Sequence, residues 1–283
     1  MITVDNSHKK TLATEAVGYE SLNTFGFTLL KNVIPNNSLG TIRNQLEKQM
    51  EEEIVTNKLF SQQDDQITLR NVFHKAPQIF LPLLDLDPVT SILGSVFNDG
   101  YILQSMNASR SNPIGDRKHD LDAHIDSRLP AKGIEHTLAI CVAFCVDDFN
   151  ESNGATRVWP FSHLSGLRPE EVLESGLTLP SPILVEAKAG DAIVFLAQLW
   201  HAIGPNRTDK SRWGVFSFFN PWWMKPTWDY KDCGEEMFNM LSNHQKQLLG
   251  FNTQTPSMNS PRTLTKTKIN DLPSEYERAK RIE

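Results

Sequence analysis

The chain has eight histidines, and only His124 is followed two positions later by a carboxylate, Asp126. On an extended segment, residues i and i+2 point to the same side, so both side chains could face one cavity. A metal would need a third ligand from another strand end. His136, His163, His201 and His244 are the candidates. His201 is the best placed, because AGDAIVFLAQLWH reads as a Gly-Asp turn, a short apolar strand and a histidine at its exit. Two histidines and one carboxylate are the donor set of a facial-triad Fe(II) site, which leaves positions open for oxygen and a cosubstrate. Taken alone, one His-x-Asp is a weak signal, and an ordinary polar turn is the favoured reading.

Arg212 opens the strand RWGVFSFF after His201. If its side chain points inward, alternation puts Gly214 and Phe216 on the same side, and Gly214 leaves room beside the guanidinium. A planar guanidinium fork suits a carboxylate. In isolation the same residue reads as a surface ion pair. Arg207, in the turn GPNRTDKS, is expected to be exposed. The apolar run around 138–146 has a small face, Thr137, Ala139, Cys141, Ala143 and Cys145, and a bulky one, Leu138, Ile140, Val142, Phe144 and Val146. The small face is expected to border the cavity, with its cysteines as buried small hydrophobes and not ligands. His163 is read as tying down a loop, His119 as exposed, and His136 as opening a strand.

These residues need a scaffold. Residues 1–18 read as a loose lead-in and 25–34 as a strand. In 38–55, Leu39, Ile42, Leu46, Met50 and Ile54 recur at helical spacing, with Glu51, Glu52 and Glu53 as the solvated face. Residues 57–100 read as short helices and turns punctuated by Pro77, Pro82 and Pro88. From 101 to about 220, short β-rich runs alternate with Gly, Pro, Asn and Asp, the pattern of a sandwich or barrel. The expected fold is mainly β with α, a jelly roll with helices on one outer face, in one domain over 1–283. A helix is expected at 233–251 and a polar arm, lid or partly disordered tail at 252–283.

Bulk properties narrow the function. The net charge is −6 with no basic run, against a nucleic-acid partner. The longest apolar run, LAICVAFCV, is far short of the roughly 18–20 residues that span a bilayer. The opening residues have no apolar core of a secretory signal, and Cys141, Cys145 and Cys233 make no disulfide framework. A cytoplasmic, reducing location is expected; oligomeric state is open, with a homodimer among the options.

His124-x-Asp126, NGATRVWPFSH at 153–163 and GDAIVFLAQLWHAIGPNRTDKSRW at 190–213 together resemble the phytanoyl-CoA dioxygenase-like family of Fe(II)/2-oxoglutarate oxygenases. FGFTLLKNVIPNNSLGTIRNQLEKQM resembles that family's opening strand and helix, so the resemblance covers roughly 19–220. It implies a double-stranded β-helix (a cupin-like jelly roll), with His124, Asp126 and His201 as iron ligands at the catalytic centre. It also implies that Arg212 holds the distal carboxylate of 2-oxoglutarate, with Gln104 and Thr156 as further cosubstrate contacts. The implied activity uses Fe(II), 2-oxoglutarate and O2. It yields succinate and CO2 and oxidises an unactivated C–H bond of a small molecule, hydroxylation being the default, in a setting such as natural-product biosynthesis. Asp126 fills the position a halide would need, which argues against halogenation. One departure is Phe161, where relatives have glycine in Pro-Gly-Ser-His, so the turn is expected to differ in shape. Two other readings stand beside this one. A zinc hydrolase would use the same triad with Asp120 or Asp122 as base. A jelly-roll binding module would do no chemistry.

Overall fold

The computed structural model describes residues 18–56, 60–62, 65–98, 100–115, 122–253, 272 and 275–276. The readings of the lead-in, of His119 and Asp120, and of nearly all of the arm at 252–283 lie outside the described residues. Among the described residues, ten strands form two antiparallel sheets. The major sheet has the order β1-β8-β5-β10-β4-β3-β2 and the minor sheet β7-β6-β9. Their ranges are β1 Phe27–Leu30, β2 Phe60–Gln62, β3 Gln66–Leu69, β4 Tyr101–Ser111, β5 Ile140–Cys145, β6 Thr156–Val158, β7 Ile183–Leu184, β8 Ala192–Leu196, β9 His201–Ile203 and β10 Arg212–Pro221. This is the expected jelly-roll arrangement, with most strands from residue 101 onward.

Each central strand faces two different layers. On β5, Ile140, Val142 and Phe144 join the larger apolar cluster under the helices, and Cys141, Ala143 and Cys145 join the smaller cluster between the sheets. β8 divides likewise, with Val194 and Leu196 toward the helices and Ile193 and Phe195 between the sheets. The bulky and small faces of β5 thus point as their side-chain volumes suggest. Thr137 precedes the strand and donates to Gln198 Oε1 at 2.8 Å.

The long helix Asn36–Thr56 covers the outer face through Ile42, Leu46 and Met50. Two details differ from the sequence reading. Glu53 is buried and paired with Lys75, while Ile54 is 54% exposed. The stripe Leu46, Met50, Glu53 follows the i, i+4, i+7 path of a 3.6-residue turn, and residue 54 falls off it. The second difference is the hairpin β2–β3 inside a region read as helices and turns. QITL alone is too short to show a period; it becomes a strand by pairing with β4, Gln66 opposite Ser111 through Leu69 opposite Ala108. His136 lies in a 3-10 turn, Ile134–His136, instead of opening a strand. The helix read at 233–251 is two short ones, Glu235–Met240 and Asn243–Leu248, because Ser242 caps the second by accepting from Gln245 N. Among the described residues no single helix is long and apolar enough to cross a membrane.

Candidate active site

His124 and His201 meet as an isolated antiparallel bridge, each N–H donating to the other's carbonyl at 3.0 Å. Directly opposed residues project their side chains on one side, and the ring centroids lie 4.3 Å apart. Asp126, two residues on, brings Oδ2 to 3.3 Å from His201 Nε2 and Oδ1 to 3.7 Å from His124 Nε2. One ligand atom from each of the three side chains lies within 4.8 Å of the others.

The backbone selects the ring tautomers. His124 Nδ1 lies 2.9 Å from the Asp122 carbonyl and His201 Nδ1 3.0 Å from the Leu199 carbonyl. A carbonyl only accepts, so in the neutral rings Nδ1 carries the proton and Nε2 keeps its lone pair for the site. Burial opposes charge on Asp126 and on His201, but their mutual attraction prevails: Asp126 sits below its ordinary pKa and His201 above. The pair thus favours positive charge held between them, which a metal cation would supply. These donors fit Fe(II) by type and number.

The triad opens on a cavity of about 230 Å³ that Thr156, Phe195, Arg212, Phe216 and Phe218 also line. Arg212 is 3% exposed. Its Nη2 donates to the Gly154 carbonyl at 2.7 Å, its Nε to the Asn153 carbonyl at 3.3 Å, and its guanidinium carbon stands 3.8 Å over the Phe149 ring. Burial lowers its pKa to about 10, so it remains a cation near neutrality. Among the described residues no carboxylate pairs with it. A buried guanidinium held only by carbonyls and a ring face is an anion site lacking its anion's charge.

Two glycines make this geometry possible. A Cβ on Gly214 would stand 2.9 Å from Phe149 Cζ, the ring under the guanidinium. Gly154 has φ +85°, and a Cβ there would lie 2.5 Å from the Gly204 carbonyl oxygen. NGAT is therefore the loop that grips Arg212 and then presents Thr156 to the cavity.

Other residues fall as follows. Gln104 lines an adjoining chamber with Asp126 instead of the cavity of Arg212. Arg207 is exposed and donates to the Gly115 carbonyl. His163 is fully buried, with Nε2 3.0 Å from the Asn23 carbonyl, so it ties the loop to the short helix Tyr19–Phe25 and does not join the triad. His244 Nδ1 pairs with Asp85 at 2.7 Å. Phe161 takes φ 67°, the left-handed conformation a glycine would take, so the expected change of turn shape is not found. Its ring packs edge-on to Phe25 at 5.4 Å. Sequence reading missed Gln66, Thr68 and Ser109, which also line the cavity. The polar stripe Ser105, Asn107, Ser109, Ser111 along β4 was the available signal.

A family model described as Phytanoyl-CoA dioxygenase (PhyH) matches residues 22–214. Enzymes of that family use Fe(II), 2-oxoglutarate and O2. Dioxygenase andF of Emericella variicolor is 31% identical over 162 residues, 56% of this chain and 52% of its own length. The chain thus spans about half of that relative. Among solved structures, HygX from Streptomyces hygroscopicus, with nickel, 2-oxoglutarate and hygromycin B bound, aligns at TM-score 0.54 and 15% identity over 74% of this chain and 88% of its own. The carbocyclase SnoK from nogalamycin biosynthesis aligns at TM-score 0.58 and 16% identity, covering 75% of this chain and 85% of its own. At these identities the two structures speak for the fold alone.

Proposed function

The chain belongs to the phytanoyl-CoA dioxygenase family, and we propose that it hydroxylates an unactivated C–H bond of a small molecule, in a biosynthetic role like that of SnoK in nogalamycin formation. In this reading His124, Asp126 and His201 hold Fe(II), and Arg212 and Thr156 hold 2-oxoglutarate. The metal, when bound, supplies oxidation of the substrate coupled to conversion of 2-oxoglutarate to succinate and CO2.

The observation that carries the reading is the buried, carboxylate-free Arg212 in the same cavity as the triad. The chain's own residues do the positioning. The Asp122 and Leu199 carbonyls orient the two imidazoles. The Asn153 and Gly154 carbonyls fix the guanidinium so that its remaining donors meet an incoming carboxylate. Phe195, Phe216 and Phe218 keep that end of the cavity apolar, which strengthens the ion pair by excluding water. A zinc hydrolase would use the triad but has no task for Arg212, and a binding module has none for the triad.

The test is anaerobic metal loading of the full chain, followed by 2-oxoglutarate and O2 with succinate measured. Wild type should bind one Fe(II) per chain and release succinate; His201→Ala should lose both. Succinate release by His201→Ala at the wild-type rate would end the assignment.

A further inference from the structure

A second chamber of about 490 Å³ adjoins the first, the two sharing Asp126 and Phe218. Its volume is that of a small-ligand site. Arg70, Arg128 and Arg168 line it, and among the described residues the one acidic residue in its lining is Asp126, which is already engaged with the two histidines. The chain as a whole carries a net charge of −6, so this concavity reverses the sign of the molecule around it.

The three arginines come from separate segments. Arg70 follows β3, Arg128 lies two residues past Asp126, and Arg168 precedes the short helix Pro169–Glu174. Among the described residues neither Arg70 nor Arg128 makes an ion pair. Arg168 is partly committed: Nη2 donates to the Arg128 carbonyl at 2.6 Å, and Nη1 stands 3.8 Å from the exposed Glu170. That bond braces the loop that carries Arg128. A further donor comes from Trp228, which also lines the chamber and whose buried Nε1–H meets no acceptor among the described residues. The chamber therefore offers an excess of donors and positive charge beside the proposed iron ligands. A guanidinium fork matches the paired oxygens of a carboxylate or a phosphate.

We propose that this chamber is the substrate subsite and that the substrate carries an oxyanion, a carboxylate or a phosphate ester, gripped by Arg70 and Arg128 with Arg168 as brace. The anionic group anchors the molecule at the arginines and leaves its apolar part to lie toward Phe218 and the triad. As a statement about a substrate, this rests on the iron and 2-oxoglutarate reading above. As a statement about anion binding, it stands on the chamber alone.

The experiment is calorimetry on the full chain, loaded anaerobically with Fe(II) and saturated with 2-oxoglutarate so that Arg212 is occupied. The probes are phenyl phosphate, phenylacetate and the neutral phenylacetamide. At least one anion should bind saturably and the amide should not; the tighter anion shows which oxyanion the chamber suits. Arg70→Gln/Arg128→Gln should weaken that binding at least tenfold, and Arg207→Gln should leave it unchanged. The double substitution alters exposed side chains, and an unchanged thermal unfolding curve verifies that it folds. Absence of saturable binding of both anions to wild type, or equal affinity in the double variant, overturns the proposal. The 2-oxoglutarate titration reads the other claim separately: without metal-dependent 2-oxoglutarate binding, the iron reading fails. The same anion titration on Arg212→Ala protein then still reports on the second chamber.

Discussion

The two faces of the major sheet are built from the same strands and have different tasks. Toward the helices, β5, β8 and β10 present Val142, Phe144, Val194, Leu196, Trp213, Val215 and Phe219, all buried in the larger apolar cluster. Toward the minor sheet they present Cys141, Ala143, Ile193, Phe195, Arg212, Gly214 and Phe216. The first face is filled with bulk. The second leaves volume for a cavity and sets one buried cation beside it. Because side chains alternate along each strand, a single residue step passes from a position that sets stability to one that sets the site. Substitutions on the two faces should therefore separate in their readouts.

The largest effect is expected on the bulky face. Phe144→Ala should lower unfolding free energy by about 3–5 kcal/mol, read by denaturant titration. In the fraction that remains folded, the KM for 2-oxoglutarate should stay near wild type. A shift in that KM comparable to the loss of stability would show that the faces are not separable.

Next comes the cation of the site face. Arg212→Ala should raise the KM for 2-oxoglutarate roughly a hundredfold, about 3 kcal/mol, while Fe(II) binding persists. Arg207→Ala, five residues earlier and exposed, should change it less than about twofold, as expected of a surface charge. Reversal of the two results would move the cosubstrate site to the turn.

A smaller effect concerns pH. Burial holds the His163 pKa below its ordinary value of 6.5, so the unfolded chain binds this proton more readily than the folded one. Stability should be full above 6.5 and decline as pH falls from there toward the depressed folded value. His163→Gln should flatten that decline in unfolding curves taken between neutral and acidic pH. An unaltered pH slope would remove His163 as its source.

The smallest effect lies at the turn beside it. Phe161 is held at φ 67°, a conformation that costs a non-glycine residue about 1–3 kcal/mol, and the edge contact with Phe25 returns part of that. Phe161→Gly should leave stability within about 1 kcal/mol of wild type. A large loss would mean that the ring contact, not the backbone, governs this turn.

Features whose physics is local could be read along the chain. Period-two alternation put His124 with Asp126 on one side of an extended segment and divided β5 into bulky and small faces. The strand-then-histidine pattern singled out His201, and the turn residues around Arg207 marked it as exposed. What the sequence left undecided depended on contacts between distant segments. QITL became a strand by lying between β2 and β4. Glu53 was buried because Lys75 came to meet it. NGAT acquired its role when the chain returned to place Arg212 under the Asn153 and Gly154 carbonyls. The arginine chamber is assembled from segments with no common period, so no window along the chain contains it. Spacing along the chain can specify which way a side chain points. Which partner it meets is decided by tertiary packing, because close approach in space between distant segments leaves no pattern in the order of residues.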